Sequence, residues 1–437
     1  MKKKILHAPV FTDPSAIVAH LVGLKDVRVL SYCRRGPAGE ITIEQVVVDG
    51  RCQRCGERAR VKDRPVVTYV DLPFGGVPMT IRWKKHRLSC VNAACPVATF
   101  TLSDHRIAAQ GCRLTTRAAK WVVEQMGTGR AISHVAHELD CSWDLVNAAT
   151  VRYGEALMRA DTKRLKATNA IGLDETLFTR AGPYRHKSWS TTICDVANHQ
   201  LIDVVPTREF TEVAAWLSAQ PHHVKDNLRY GCLDMSATYN AVFKVVTPAA
   251  TRVVDRFHVM RHATLAPRGA PPVQQQATGH RGRRDDPLYR ARKLLVMGVT
   301  RGDAALQARL GDLLALGDPD GEVAFAYAVK EAMARFYELT TIDEAERLLL
   351  EVVERAGARS APYEVRRFAR TLKNWFDPIL AWHEARVSNG PTEGMNNLIK
   401  RVKRVAFGFT NFRNFRIRAL LYVGKPNFRL LHSIVVT

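Results

Sequence analysis

Glu393 lies in residues 388–397 (Ser-Asn-Gly-Pro-Thr-Glu-Gly-Met-Asn-Asn), directly ahead of a cationic run, Lys400, Arg401, Lys403 and Arg404. A carboxylate beside a basic helix is what a metal-dependent reaction on a nucleic-acid backbone requires. The carboxylate holds a divalent cation, and the neighbouring cations hold the polyanion in register. Two upstream carboxylates complete a candidate trio: Asp174 in Ile-Gly-Leu-Asp-Glu and Asp234 in Cys-Leu-Asp-Met-Ser. Both are embedded in apolar, strand-like sequence, where an unpaired carboxylate is costly. Displacement at a phosphodiester needs a deprotonated nucleophile and relief of charge at phosphorus. Two magnesium (or manganese) ions ~4 Å apart can supply both, and magnesium prefers carboxylate oxygens while keeping several waters.

Most Asp and Glu side chains are solvated surface charges or caps, so the neighbouring acids need weighing. Glu175 should face away from Asp174, because strand neighbours alternate. Asp195 precedes a hairpin turn and suits a turn role, and Asp203 is a further rival. Asp255, in Val-Val-Asp-Arg-Phe-His258, ends a strand. Asp255 and His258 are carried as auxiliary site residues, with a satisfied structural histidine the blander reading of His258.

A second chemical pattern lies near the N-terminus. Cys52 and Cys55, then Cys90 and Cys95, form two close pairs about 35 residues apart, with Gly56 and Pro96 suited to knuckle turns. That spacing predicts a tetrahedral zinc site whose metal helps a small module to fold. Four unrelated buried thiols are the alternative. Cys33, Cys112, Cys141, Cys194 and Cys232 have no partner at ligand spacing and are expected in the core.

What must position these groups follows from size and charge. At 437 residues the chain exceeds what one core usually serves, so two or three domains are expected. Lys and Arg number 65 against 42 Asp and Glu, a formal net charge of +23, which implies a polyanionic partner such as DNA or RNA. No secretory signal and no apolar run of ~20 residues is evident; a soluble, cytoplasmic protein without a membrane partner is expected.

Residues 40–49 alternate like a strand, and residues 66–88 are strand-rich. From residue 114 the pattern is helical. Thr115 or Thr116 can cap a first helix, residues 127–129 (Gly-Thr-Gly) break it, residues 130–139 form a second, and Ser142 caps a third through residue 153. This is a helix-turn-helix pattern, in which the last helix enters the major groove; Ser142, Trp143, Asn147 and Arg152 would then face DNA. Any three-helix packing gives the same pattern. Strands follow at 169–178, 188–196, 200–205, 230–233 and 251–255, with a helix at 209–219. Three antiparallel strands, a helix and a further strand is the order of a ribonuclease-H-like fold, with Asp174 mid-sheet and Asp234 at the end of the fourth strand. Residues 266–286, rich in Pro, Gly, Gln and Arg, read as a mobile loop. Residues 288–385 read as helical throughout, and a helix from Thr392 to Val405 leads into an aromatic-basic segment at 406–415. No internal repeat is present.

These motifs together resemble the ISL-three family of bacterial insertion-sequence transposases, within the DDE transposase group. The resemblance rests on both cysteine pairs, the helix-turn-helix, the Asp174, Asp234 and Asp255 motifs, and residues 388–409. Thr238 departs from the Pro that family members often carry there. The resemblance implies an α+β multidomain chain: a zinc-binding β-rich module at 1–110, a helix-turn-helix domain at 111–165, the first part of a ribonuclease-H-like α/β core at 166–265, an all-helical insertion at 266–387, and the core's C-terminal helix and tail at 388–437. It also implies Asp174, Asp234 and Glu393 as a triad for two Mg2+ (or Mn2+) ions, and structural Zn2+. The expected partner is double-stranded DNA, both the element's terminal inverted repeats and its target, with Asn397, Lys400, Arg401, Lys403 and Arg404 on the backbone. The expected reaction is strand cleavage and strand transfer by a homodimer or larger assembly in the bacterial cytoplasm, on the nucleoid. A regulator derived from an inactive transposase and a structure-specific nuclease are the alternatives.

Overall fold

A computed structural model describes residues 13, 16, 19, 20, 22–46, 50–165, 168–268, 284–298 and 304–436. The chain forms two compact units, Met1–Arg164 with Ile399–Thr437, and Leu165–Leu398. Of the expected final segment 388–437, residues 388–398 fall in the second unit and residues 399–437 in the first.

The first unit opens with a four-stranded sheet ordered β1-β2-β5-β4, from β1 (Val27–Arg35), β2 (Ala38–Gln45), β4 (Val66–Phe74) and β5 (Val77–Lys84). β2 and β5 run parallel; the outer pairs are antiparallel. Alternation puts Ile41 and Ile43 of β2 and Met79, Ile81 and Trp83 of β5 on one buried face. The end of the predicted 40–49 strand, residues 47–49, lies outside the described residues. β3 (Ala59–Asp63), β6 (Arg87–Cys90) and β7 (Thr99–Thr101) form a small antiparallel sheet beside the cysteine turns. Of the cysteines expected in the core, Cys194 and Cys232 are buried and Cys112 and Cys141 half-buried. Cys33 is exposed, because β1 is an edge strand.

Three helices follow: α1 (Thr116–Gly127), α2 (Ile132–Glu138) and α3 (Trp143–Ala160). Thr115 Oγ1 accepts the Ala118 N–H and Ser142 Oγ accepts the Leu145 N–H, so each caps its helix. Ala118, Val122 and Met126 of α1, Ile132 and Val135 of α2, and Val146, Tyr153 and Leu157 of α3 bury a common apolar face. The C-terminal residues Ile417, Leu421, Leu431 and Ile434 join the same cluster. Gly154 permits this, since a Cβ there would stand 2.9 Å from Ile417 Cγ1.

The second unit is built on a five-stranded sheet ordered β10-β9-β8-β11-β12: β8 (Ala170–Ala181), β9 (His186–Asp195), β10 (Gln200–Val205), β11 (Tyr230–Leu233) and β12 (Thr251–Val254). The first three are antiparallel, and β11 and β12 run parallel to β8. α4 (Phe210–Ser218) and α5 (Ala237–Val246) cover one face, burying Val213, Leu217, Tyr239 and Phe243 against Ile171, Leu173 and Leu233. α6 (Arg256–Arg268) extends the helix through residue 268; the expected mobile loop at 266–286 otherwise falls largely outside the described residues. Asp286 caps a short helix that begins at Pro287. α7 (Ala304–Gly317), α8 (Glu322–Phe336), α9 (Ile342–Gly357) and α10 (Tyr363–Asn374) give this stretch its helical character. Met333, Phe336, Leu349, Phe368 and Leu372 share one core with Val254, Val259 and Ala263. α11 (Gly390–Val405) starts two residues earlier than the sequence suggested. Beyond it the expected aromatic-basic segment becomes a further helix, α12 (Phe412–Tyr422). Among the described residues no helix is long and apolar enough to cross a membrane.

Candidate active site and metal centres

The parallel register decides where the acids go. Leu173 of β8 pairs with Leu233 of β11, and Leu233 with Val254 of β12. Asp174, Asp234 and Asp255 each follow one of these residues, so three carboxylates end up at the same level of three adjacent strands. Side-chain alternation turns them away from the leucine face. On β8 the same face carries Gly172 and Thr176. A Cβ on Gly172 would stand 2.3 Å from Asn389 Oδ1 and 2.4 Å from Thr392 Oγ1. The glycine is therefore what allows the start of α11 to lie directly against the sheet.

α11 is held there by buried hydrogen bonds. Asn389 Nδ2 donates to the Leu173 carbonyl at 3.1 Å, and Asn396 Nδ2 donates to Asp174 Oδ2 at 2.7 Å. Asn396 Oδ1 accepts from Thr176 Oγ1 and from Thr192 Oγ1, the latter at 2.6 Å. Asp174 Oδ1 accepts the Glu175 N–H at 2.7 Å. Glu175 itself is on the other side of the strand, bonded to Arg208 at 2.9 Å. Asp195 accepts from Thr168 and from both nitrogens of Asn198, a turn role. Asp203 is taken by the indole of Trp216.

The electrostatics are those of crowded acids. Burial, and then the charge of Asp234, push Asp174 up to about 6. Burial raises Asp234 and Asp255 as well. Asp234 Oδ1 is buried without a hydrogen-bond partner. Glu393, reached from α11, lies 3.5 Å from His258 Nε2. His258 Nε2 is buried and makes no hydrogen bond, so its contact is the Glu393 carboxylate. Asp255, His258 and Glu393 bring ligand atoms within 4.8 Å of one another; Asp174, Asp234 and Glu393 do not together form such a group among the described residues. Asp174 is instead held by Asn396. An unpaired buried carboxylate oxygen, two like charges at matched register and a His-carboxylate group suit a hard divalent cation.

Sequence reasoning selected Asn397, which is exposed, and missed Asn389, Thr392 and Asn396, which are buried. The signal was available: residues 389, 392, 393 and 396 recur at helical spacing on one face.

The cysteines form the other centre. Cys52 Sγ lies 3.8 Å from Cys95 Sγ, and Cys55 Sγ 3.5 Å from Cys90 Sγ. All four sulfurs fall within 4.8 Å of one another. A tetrahedral zinc–thiolate site requires sulfurs roughly 3.8 Å apart, and a disulfide about 2.05 Å, so the group fits a metal. The N–H groups of Cys55 and Arg54 lower Cys52 to about 7, favouring the thiolate.

Of the helix-turn-helix candidates, Ser142 is exposed, with its hydroxyl used as a cap. Trp143 is 47% exposed at the start of α3, and Asn147 is half-buried. Arg152 donates to the Gln110 carbonyl at 2.7 Å and to Cys112 Sγ at 3.2 Å, fastening the preceding loop. On α11, Lys400, Arg401 and Arg404 are exposed and Lys403 is half-buried.

Residues 171–419 match a family model described as "Transposase" of the ISL3 group, and residues 104–154 match "Helix-turn-helix domain of transposase family ISL3". The chain belongs to transposase family ISL3. As an ISL3-family transposase it is a DNA-binding, DNA-processing enzyme with a helix-turn-helix domain. It is 24% identical over 383 residues to the transposase for insertion sequence element IS1001 of Bordetella parapertussis, covering 84% of this chain and 88% of that one. Among solved structures it is similar to a Drosophila P element transposase strand transfer complex, at 9% identity and a TM-score of 0.36, over 71% of this chain and 92% of the other. A likeness that weak carries no argument about fold or mechanism.

Proposed function

We propose that this transposase recognises the terminal inverted repeats of its insertion sequence and both cuts and joins DNA strands. In this reading the second unit is a ribonuclease-H-like core, interrupted by a helical insertion at 266–387. The observation that carries the proposal is the placement of Asp174 and Asp234 at matched register on neighbouring parallel strands, where burial first, and then the charge of Asp234, push Asp174 up to about 6. The strand order β10-β9-β8-β11-β12 supports the fold assignment.

Asp174, Asp234 and Glu393 would hold two magnesium or manganese ions, with Asp255 and His258 beside Glu393. Bound there, the ions supply an activated nucleophile and charge relief at the scissile phosphate. Asn396 orients Asp174 through its 2.7 Å hydrogen bond, leaving the remaining lone pairs of that carboxylate for a cation. The His258 imidazole faces Glu393 across 3.5 Å. Trp143 and Asn147 read bases, while Asn397, Lys400, Arg401, Lys403 and Arg404 hold phosphates. Cys52, Cys55, Cys90 and Cys95 would hold structural zinc. Joining two element ends requires at least two copies in the working complex, acting on the nucleoid DNA of a bacterial cytoplasm.

The test uses DNA carrying both element ends and a target plasmid, with magnesium or manganese. Wild-type protein should release 3′-hydroxyl ends and join them to the plasmid. Asp174→Asn, Asp234→Asn and Glu393→Gln should each lose about a thousand-fold or more in cleavage, with end binding retained. Cleavage without joined products would point to a nuclease, and binding without cleavage by wild type to a regulator. Full cleavage by any of the three variants would remove the acids from their assigned role.

A further inference from the structure

α11 ends in a Schellman turn: the Phe407 N–H donates to the Arg404 carbonyl at 3.1 Å and the Gly408 N–H to the Lys403 carbonyl at 2.9 Å. The residue after the cap of such a turn is left-handed and is usually glycine, which has no Cβ to clash. Here that position is Phe407, at φ 54°, and the glycine comes one residue later, at φ 100°. An L-residue with a large side chain pays a steric penalty in this conformation.

Nothing in the fold offsets it. Phe407 is 96% exposed, the most exposed large apolar side chain among the described residues. The neighbouring phenylalanines behave differently: Phe409 and Phe412 pack on Phe415, with ring centroids 5.5 and 5.8 Å apart. Strain together with exposure at one residue is the mark of a functional position rather than a packing one.

The surroundings identify the partner. Lys400 and Arg404 lie one helical turn apart and are exposed, as is Arg401. From residue 394 to Thr437 the sequence contains no Asp or Glu. An aromatic ring raised at the end of a cationic helix combines the two elements of unpaired-strand recognition: a positive track for phosphates and a π-face for a base. A fully paired duplex offers the ring no base face without unstacking.

We propose that Phe407 stacks on an unpaired nucleobase in DNA whose phosphates are held by Lys400, Arg401 and Arg404. The proposal rests on the reading of those cations as phosphate contacts and is independent of the acidic site, because stacking needs no cleavage. The two backbone hydrogen bonds fix the direction of the Phe407 Cα–Cβ bond, which points the side chain into solvent.

The experiment is a fluorescence titration of the full-length, zinc-loaded protein against two short two-stranded DNA duplexes that share the same paired sequence, without magnesium or manganese. One duplex is fully paired; the other carries an added bulge of two unpaired nucleotides, one of them 2-aminopurine. Wild type should bind the bulged duplex more tightly, with a change in 2-aminopurine emission that reports stacking. Phe407→Ala should bind it about ten-fold more weakly with affinity for the paired duplex unchanged, and Phe407→Trp should keep the preference. Phe407→Gly should lose the preference while raising Tm, because it relieves the left-handed strain. Three outcomes would each overturn the proposal: wild type without a preference, equal loss by Phe407→Ala on both duplexes, or a lower Tm for Phe407→Gly. All of these can occur with strand cleavage by the acidic site intact, so the two proposals fail separately.

Discussion

The cysteine cluster and the carboxylate cluster are both places where this chain can hold cations, and they are assembled in opposite ways. The cysteines come from two short turns, with Cys52 and Cys95 only 43 residues apart. Their sulfurs already lie at the spacing of a closed tetrahedral site. The carboxylates come from three strands and a helix, and the bond between Asn396 and Asp174 spans 222 residues. Their charges repel, and their positions depend on strand register and on how closely α11 approaches β8. One cluster holds its own surroundings together; the other is held by its surroundings at an energetic cost. A structural site tolerates full enclosure, whereas a reaction site must keep polar groups unsatisfied and facing one another.

The contrast can be broken most severely at the cysteines. A zinc chelator, or Cys52→Ser, should unfold the small sheet of β3, β6 and β7, since metal binding in such modules accounts for roughly 10 kcal/mol or more of folding free energy. Hydrogen exchange over residues 50–101 should rise sharply while exchange in β8 and β11 stays unchanged. Protection unaltered by zinc removal would mean that the module folds without metal.

The acidic site should behave in the reverse sense. Asp234→Asn should raise Tm, because it removes one of two repelling buried carboxylates, while cleavage falls by about a thousand-fold. Scanning calorimetry beside a cleavage assay separates the two effects. A lower Tm would show that the charge of Asp234 stabilises the fold.

Gly172→Ala probes the approach of α11. Its new Cβ would overlap two buried polar atoms, costing about 2 kcal/mol in stability and displacing Glu393 from the sheet. Denaturant unfolding should report the loss, and the cleavage rate should fall with it. The smallest effect is expected for Asn396→Ala, which removes the donor to Asp174 and the acceptor of Thr176, while Thr192 keeps its bond to Thr176 Oγ1. About 1 kcal/mol should be lost, with DNA binding unaffected in a gel-shift titration.

Much of this was legible along the chain. The knuckle spacing, the helix caps at Thr115 and Ser142, and β10 and β11 follow from local residue types, because caps, turns and alternation are decided within a few residues. Glu175 was assigned to the far side by alternation alone, and Arg208 meets it there. The limits were equally physical. Arg152 was expected to face DNA; nothing along the chain signalled that its Nη1 also bonds the Gln110 carbonyl, a partner 42 residues away. Asn396 and Asn397 are indistinguishable as residue types; only the docking of α11 decides which is buried.

The sequence by itself determined which chemistries are possible: thiols at ligand spacing, acids in apolar strands, and a cationic helix without acidic residues after Glu393. These are properties of residue type and near spacing, and they do not depend on the rest of the fold. Tertiary structure alone decided which acids meet, aligning Asp174, Asp234 and Asp255 by parallel register and bringing Glu393 within 3.5 Å of His258. It also decided that Phe407 is left bare in a left-handed turn. Such outcomes depend on packing between segments hundreds of residues apart, or on a backbone conformation that no side chain announces.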